Sequence, residues 1–262
     1  QKPNPAIILG WNPFLYVYNW SNGKGKAWDK IVKNIGVEPV VYDSDMVDAS
    51  IENMMDRLTY LGYYGSEIES VINVKKKNVT VAYNITLGKR FPIKDIEIIL
   101  PSEGTFADDF LADTSAMTVK VGDFLSEDIL ENETVRASAS LRNMGYYEFS
   151  KNNFFFEADT LSCPDSAILK MTVNGYTRNE TPDRTRTISR FTFNEVNISY
   201  PQTLKIREKI LKELTTIRPG ETYSTDVVNN TYTRLSSLRM FSSVNIGMTP
   251  VDSNKIDCRI NL

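Results

Sequence analysis

Leu58-Thr59-Tyr60-Leu61-Gly62-Tyr63-Tyr64 and Leu141-Arg142-Asn143-Met144-Gly145-Tyr146-Tyr147 are the two stretches on which the fold of this chain turns. In each, an apolar helical pattern runs into a glycine and an aromatic, strand-like run follows. Before the first, Ile51, Met54, Met55, Leu58 and Leu61 recur at the spacing of one helix face. Before the second, Leu130, Thr134, Ala137, Leu141 and Met144 do the same. Glycine ends a helix in the left-handed conformation without the steric cost that other residues meet there. Leu238-Arg239-Met240-Phe241 is a more worn third copy, preceded by the stripe Val228, Thr231, Leu235 and Leu238.

The joints are the phase marks of a repeat. Asp43 and Ser126 stand where helix N-caps are expected, and they are 83 positions apart, as are Gly62 and Gly145. Gly122-Asp-Phe-Leu-Ser126 matches Gly220-Glu-Thr-Tyr-Ser224 at an offset of 98, whereas Tyr147 and Phe241 are offset by 94. The shortfall is about one helical turn, so the third helix loses a turn and keeps its face. Each copy reads strand, helix, helix, strand, strand. That is an α+β module with two helices on one face of a three-stranded sheet.

Module one is predicted over 1–88. The run Phe14-Leu15-Tyr16-Val17-Tyr18 reads as a strand after Ile7-Ile8-Leu9, residues 27–35 as a short helix, and 63–74 and 79–85 as closing strands. Module two is predicted over 89–176. Its first strand runs through Ile93, Ile96, Ile98 and Leu100, a short helix covers 106–111, and the closing strands are 146–157 and 167–173. Residues 177–189 are polar and read as the most mobile linker. Module three takes 190–262, with its first strand through Phe191, Phe193, Val196 and Ile198, a helix at 206–214, and closing strands at 241–248 and 256–262.

Composition narrows function. With 262 residues, 41% hydrophobic and 24% charged, the chain is globular rather than disordered. A net charge of −3 gives no field favouring nucleic acid or anionic membrane. There is no histidine, which removes the commonest general base and metal ligand. No phosphate loop or nucleophile elbow is present. An enzyme is therefore the least expected class, with no catalytic residue, metal ligand or cofactor to name. Cys163 and Cys258 fit either two free thiols, the plainer reading, or a bridge between modules. The start at Gln1 and the alternating strand that closes on Leu262 read as an excised soluble region.

The strand–helix–helix–strand–strand order with its Gly-aromatic joint resembles the polypeptide-transport-associated (POTRA) domain. A tandem array of this kind resembles the arm of BamA/TamA-like outer-membrane assembly proteins, the surface-antigen superfamily. Gln1-Lys2-Pro3-Asn4, Glu38-Pro39-Val40, Tyr176-Thr-Arg-Asn-Glu-Thr-Pro182 and Asp257-Cys258-Arg-Ile-Asn-Leu262 resemble its Bacteroides-type branch. The resemblance covers essentially the whole chain and is weakest in module one. It implies a non-enzymatic arm at the periplasmic face of the outer membrane. The implied partners are unfolded outer-membrane protein clients and periplasmic lipoproteins, with no nucleic acid, and a membrane β-barrel is implied after Leu262. A TamA-like export role, or an adaptor without a barrel, are the alternatives.

The family resemblance also implies a site: a sheet edge to which a client adds a strand. The strand after each joint is the expected edge. Residues Phe149, Asn152, Phe154, Phe155 and Phe156 form the leading candidate, because three consecutive aromatics cannot all face one core. The plain alternative puts two of those rings in the core and one against a neighbouring module. Tyr64, Ile68, Ser243 and Asn245 mark the matching edges of modules one and three. Arg178, Arg184, Arg186 and Arg190 are candidate contacts to a neighbouring domain or partner, or else a solvated linker.

Overall fold

The computed structural model describes residues 13–19, 30, 32, 34–36, 38, 40–76, 78–101, 105–174, 176–178, 185–201, 206–252 and 254–262. The chain divides into two compact units, Gln1–Lys89 and Arg90–Leu262.

In the first unit, α1 (Pro13–Asn19) occupies the run expected to be a strand. The strand expectation for 14–18 is corrected here. Aromatic and β-branched propensity reflects packing in a sheet more than backbone preference, and Pro13 favours the first helical position. The candidate strand Ile7-Ile8-Leu9 lies outside the described residues. Within 27–35, residues 30, 32, 34 and 35 are helical. α2 (Ser44–Tyr60) is capped as expected: the Asp43 carboxylate accepts from the Asp45 N–H at 3.0 Å. Gly62 stands at φ +84. β1 (Glu67–Lys75) and β2 (Asn78–Thr86) then form an antiparallel ribbon. Tyr64 and Lys89 exchange both backbone hydrogen bonds and tie the ends of the ribbon together.

The second unit holds two three-stranded sheets of one topology. In the first, β3 (Ile93–Ile99), β4 (Phe154–Asp159) and β5 (Ala167–Val173) lie in the order β3-β5-β4. β5 is central, parallel to β3 and antiparallel to β4. α3 (Phe106–Asp113) and α4 (Glu127–Asn143) complete the module. Phe106, Phe110, Ala137, Leu141, Tyr146, Phe149, Phe154, Met171 and Val173 form its core. Residues 176–178 and 185–187 of the expected linker pair as a short hairpin, β6 (Tyr176–Arg178) and β7 (Thr185–Thr187).

The second sheet orders β8 (Thr192–Ser199), β9 (Asn245–Asp252) and β10 (Lys255–Asn261) as β8-β10-β9. α5 (Glu208–Leu214) and α6 (Thr225–Ser237) accompany it. A second core gathers Phe191, Phe193, Leu211, Ile217, Tyr223, Leu235, Ile256, Cys258 and Ile260. Cys163 and Cys258 are both free, and burial pushes the Cys258 thiol up to about 12.

The sequence repeat is also a hydrogen-bond repeat. Gly122 N–H donates to Ile93 C=O, Ile93 N–H to Asp123 C=O, and Leu125 N–H to Phe91 C=O. In the other module, Gly220 N–H donates to Phe193 C=O, Phe193 N–H to Glu221 C=O, and Tyr223 N–H to Phe191 C=O. The two matching five-residue motifs thus latch the entry to each first strand. Arg239 occupies the worn joint at φ +52, a left-handed backbone kept without its glycine.

Candidate functional site

The backbone decides which edge can accept a strand. In an antiparallel ladder, alternate residues turn their N–H and C=O towards the partner and the rest turn them away. Asn174 N–H donates to Asn153 C=O at 2.8 Å, one step before the pair Phe154 and Val173. Phe155, Glu157 and Asp159 therefore bond β5, and Phe154, Phe156 and Ala158 aim their main chain outward. Phe154 N–H is taken by Lys151 C=O. The Phe154 C=O and both groups of Phe156 and Ala158 have no partner among the described residues.

Side chains divide just as cleanly. Phe154 and Phe156 face the core and stack at 6.2 Å and 4°. Phe155 points the other way and is 53% exposed. Glu157 beside it faces Lys170 across the ladder at 3.4 Å. The other candidates have different places. Phe149 is buried before the strand begins and belongs to the core, because residues 146–153 form turns and a short 3₁₀ segment rather than the expected strand. Asn152 is exposed on that segment. Both main-chain groups of Tyr64 are spent on Lys89. Ile68 is half-buried on β1, while Ser243 and Asn245 are exposed at the entry to β9.

β9 is the matching edge of the last module, and it is blunted. Leu262 N–H donates to Ser199 C=O on β8, so Ile256, Cys258 and Ile260 also turn towards β8 and their neighbours towards β9. Ile246, Met248 and Pro250 are then the outward residues of β9. A proline has no donor to offer, and the ladder shifts register beside it, two devices that protect an edge.

Arg190 is no free linker cation. It donates to Asp109 Oδ2 from Nε at 3.0 Å and from Nη2 at 2.5 Å, and it lies over the Tyr146 ring. Arg184 lies outside the described residues, as do the side chains of Arg178 and Arg186. Burial pushes the Asp109 carboxyl up, but hydrogen bonds from Arg190 and Tyr146 outweigh it and hold the group below its usual range. A depressed folded pKa gives stability that is present above the unfolded value, about 3.9, and lost as pH falls through the folded one. Half of the Arg190 side chain is in solvent, so the pair contributes about 0.5–1 kcal/mol. Asp109→Asn is expected to destabilise by that amount at pH 6 and to differ little from the parent at pH 3, measured by urea titration at both.

Asp109–Arg190 is one of several contacts joining the two modules of this unit. Tyr146 enters the first core, whereas Tyr147 packs edge-on against Phe191 and Tyr223 at 5.7 and 5.0 Å. Asn143, at the end of α4, accepts from the Asp226 N–H and the Ser224 hydroxyl and donates to the Asp226 carboxylate. Ser224 makes no side-chain cap of its own, so one module caps a helix of the next. At the end of the expected linker, Ile188 is buried in one core and Phe191, three residues on, in the other.

This architecture is similar to solved structures. A Haemophilus influenzae BamA fragment, POTRA domains 3–5, matches at TM-score 0.50 and 14% identity over 86% of this chain and 83% of that one. BamA from Haemophilus ducreyi lacking POTRA domains 1–3 matches at 0.49 and 14%, over 65% of this chain and 29% of that one. POTRA domains 1–3 of Anabaena Omp85 match at 0.30 and 13%, over 99% and 91%. No family model and no curated protein sequence matches. The fold is that of tandem POTRA domains. Among the described residues, no helix is long and apolar enough to cross a membrane, and no cluster of His, Cys, Asp and Glu could hold a metal.

Proposed function

We propose that this chain is a polypeptide-binding arm of an outer-membrane β-barrel assembly protein of the BamA/TamA-like, Bacteroides-type class. It works at the periplasmic face, holds unfolded outer-membrane clients by strand addition and docks periplasmic lipoproteins. A membrane β-barrel follows Leu262. The observation that carries the reading is the β4 edge. It offers five main-chain groups in a row without a proline or bulge and, among the described residues, without a strand paired to them, beside the exposed ring of Phe155. Main-chain pairing tolerates many sequences, which suits a binder of unfolded chains, and the flanking side chains tune preference. Each added bond contributes about 0.5–1.5 kcal/mol net, so a short client strand binds weakly and reversibly.

Ala158 supplies the test. Its N–H points outward, so Ala158→Pro removes an edge donor and leaves the β5 ladder whole. A photo-crosslinker at Phe155 should capture a peptide copying an outer-membrane β-strand. The proline variant should lower that capture at least about tenfold, with an unchanged far-UV spectrum. Undiminished capture would sink strand addition at β4.

A further inference from the structure

The joints at Gly145 and Arg239 are built alike and equipped differently. α4 ends at Asn143 and α6 at Ser237. Two residues on, Gly145 N–H donates to Arg142 C=O at 3.3 Å and Arg239 N–H to Ser236 C=O at 3.2 Å. Gly62 N–H makes the same bond to Thr59 C=O at 2.8 Å. All three residues stand at positive φ, +112 for Gly145, +52 for Arg239 and +84 for Gly62. Residues 236–241 therefore hold the places of residues 142–147, one for one.

At the first of these joints, four residues seat the next module. Arg142 Nη2 donates to the Tyr223 hydroxyl at 3.2 Å. Asn143 Oδ1 accepts the Asp226 N–H at 3.0 Å and the Ser224 hydroxyl at 3.1 Å. Gly145 C=O accepts the Phe191 N–H at 2.9 Å. Tyr147 leaves its own module and packs against the core of the next. Gly145 also makes room, since a Cβ there would lie 2.7 Å from Thr222 Cγ2 and 3.3 Å from Arg190 Cβ. The left-handed backbone alone does not demand glycine, because Arg239 holds it too. What demands glycine at 145 is the approach of the neighbour.

The joint at Arg239 has exchanged all four. Ser236 stands for Arg142 and is too short to reach across. Ser237 stands for Asn143, and its hydroxyl donates back to Arg234 C=O at 2.7 Å. Phe241 stands for Tyr147 but packs against the core of its own module. Met240, in the place of buried Tyr146, is 47% exposed. Arg239 sets a long side chain where a neighbour's Arg190 and Thr222 would come, and its charge would meet that Arg190 as a like charge.

We infer that residues 142–147 are the determinant that seats one module on the next, and that residues 236–241 refuse such a neighbour. Whatever chain lies beyond Leu262, a further module of this build does not seat on the joint at Arg239. The inference concerns contact between modules and stands whether or not β4 binds a client.

Ile93 pairs with Ala167 and Phe193 with Ile256, so Val173 and Leu262 hold matching places at the ends of the two central strands. A chain extended after Leu262 by a second copy of residues 174–262 therefore offers the joint at Arg239 the neighbour that the joint at Gly145 receives. The added copy alone is isotope-labelled, and amide hydrogen exchange is followed at its Phe191 and Asp226. Both amides should exchange at least about tenfold faster than in the parent chain, where Gly145 and Asn143 supply their acceptors. Ser236→Arg, Ser237→Asn, Leu238→Met, Arg239→Gly, Met240→Tyr and Phe241→Tyr, made together, should restore slow exchange. In the parent chain, Gly145→Arg should speed exchange at Phe191 and Asp226 at least about tenfold while the amides of β10 stay protected, which separates undocking from unfolding. Slow exchange in the copy added behind unaltered Arg239, fast exchange behind the grafted joint, or unchanged exchange in Gly145→Arg would each overturn the inference.

Discussion

Glu133→Ala is expected to destabilise the second unit by about 3–5 kcal/mol. Glu133 lies on α4 and is 2% exposed. Its Oε2 accepts both the Thr118 N–H and the Thr118 hydroxyl at 2.7 Å, and Arg136 Nη2 donates to Oε1 at 2.6 Å. The same Arg136 nitrogen donates to Asp113 on α3 at 2.8 Å, and Ser140 closes the network on Asp113. Truncation therefore takes the acceptor from the Thr118 N–H and hydroxyl and leaves a largely buried guanidinium with one carboxylate fewer. The cost comes from the orphaned partners more than from the lost attraction. Replacing Glu133 and Arg136 together by Met should then cost less than Glu133→Ala alone, provided Asp113 keeps Ser140. Chemical unfolding of the three proteins, followed by near-UV signal, measures both. A double variant at least as unstable as the single one would show that the attraction itself dominates.

The position of Glu133 shows what sequence could and could not reveal. The joints, the caps Asp43 and Ser126 and the helical stripes are local patterns, and the structure has them where the periodicity put them. Glu133 sits next to Thr134 on the buried face, and polar residues drop out of an apolar count. A signal was nevertheless present. Thr118 and Glu133 recur as Thr216 and Thr231 at the offset of 98, and there Thr216 bonds the Thr231 hydroxyl in the same loop-to-helix staple. What stayed hidden is non-local. Strand order, the outward parity of Phe156 and Ala158, and the capping of α6 by Asn143 depend on register between segments far apart in sequence. The strand expectation for 14–18 failed for the same reason, since β propensity needs a neighbour to act on. Of the three-aromatic run, Phe154 and Phe156 face the core and Phe155 faces solvent, a division that alternation foretells once the strand start is known.

Gly145→Ala is expected to cost about 2–3 kcal/mol, and the reason is the double duty of the joint. Gly145 stands at φ +112, where an L-residue carries strain of about 1–3 kcal/mol. An added Cβ would also lie 2.7 Å from Thr222 Cγ2 and 3.3 Å from Arg190 Cβ. Thr222 is exposed and can turn its methyl aside, but Arg190 precedes Phe191, whose N–H is bonded to Gly145 C=O. The backbone there cannot retreat without giving up that bond and the seating of Tyr147 on Phe191. Alanine returns about 0.4–1 kcal/mol by restricting the unfolded chain, which sets the net value. Gly122→Ala is the control: φ is +97 and nothing lies within 4 Å of its added Cβ, so only the strain applies. Thermal unfolding of the two variants should rank Gly145→Ala clearly below Gly122→Ala. Adding Thr222→Ser should recover less than half of the gap, because the Arg190 contact remains. Equal stabilities would mean that the joint glycine serves only to end its helix and that contact between the modules asks nothing of it.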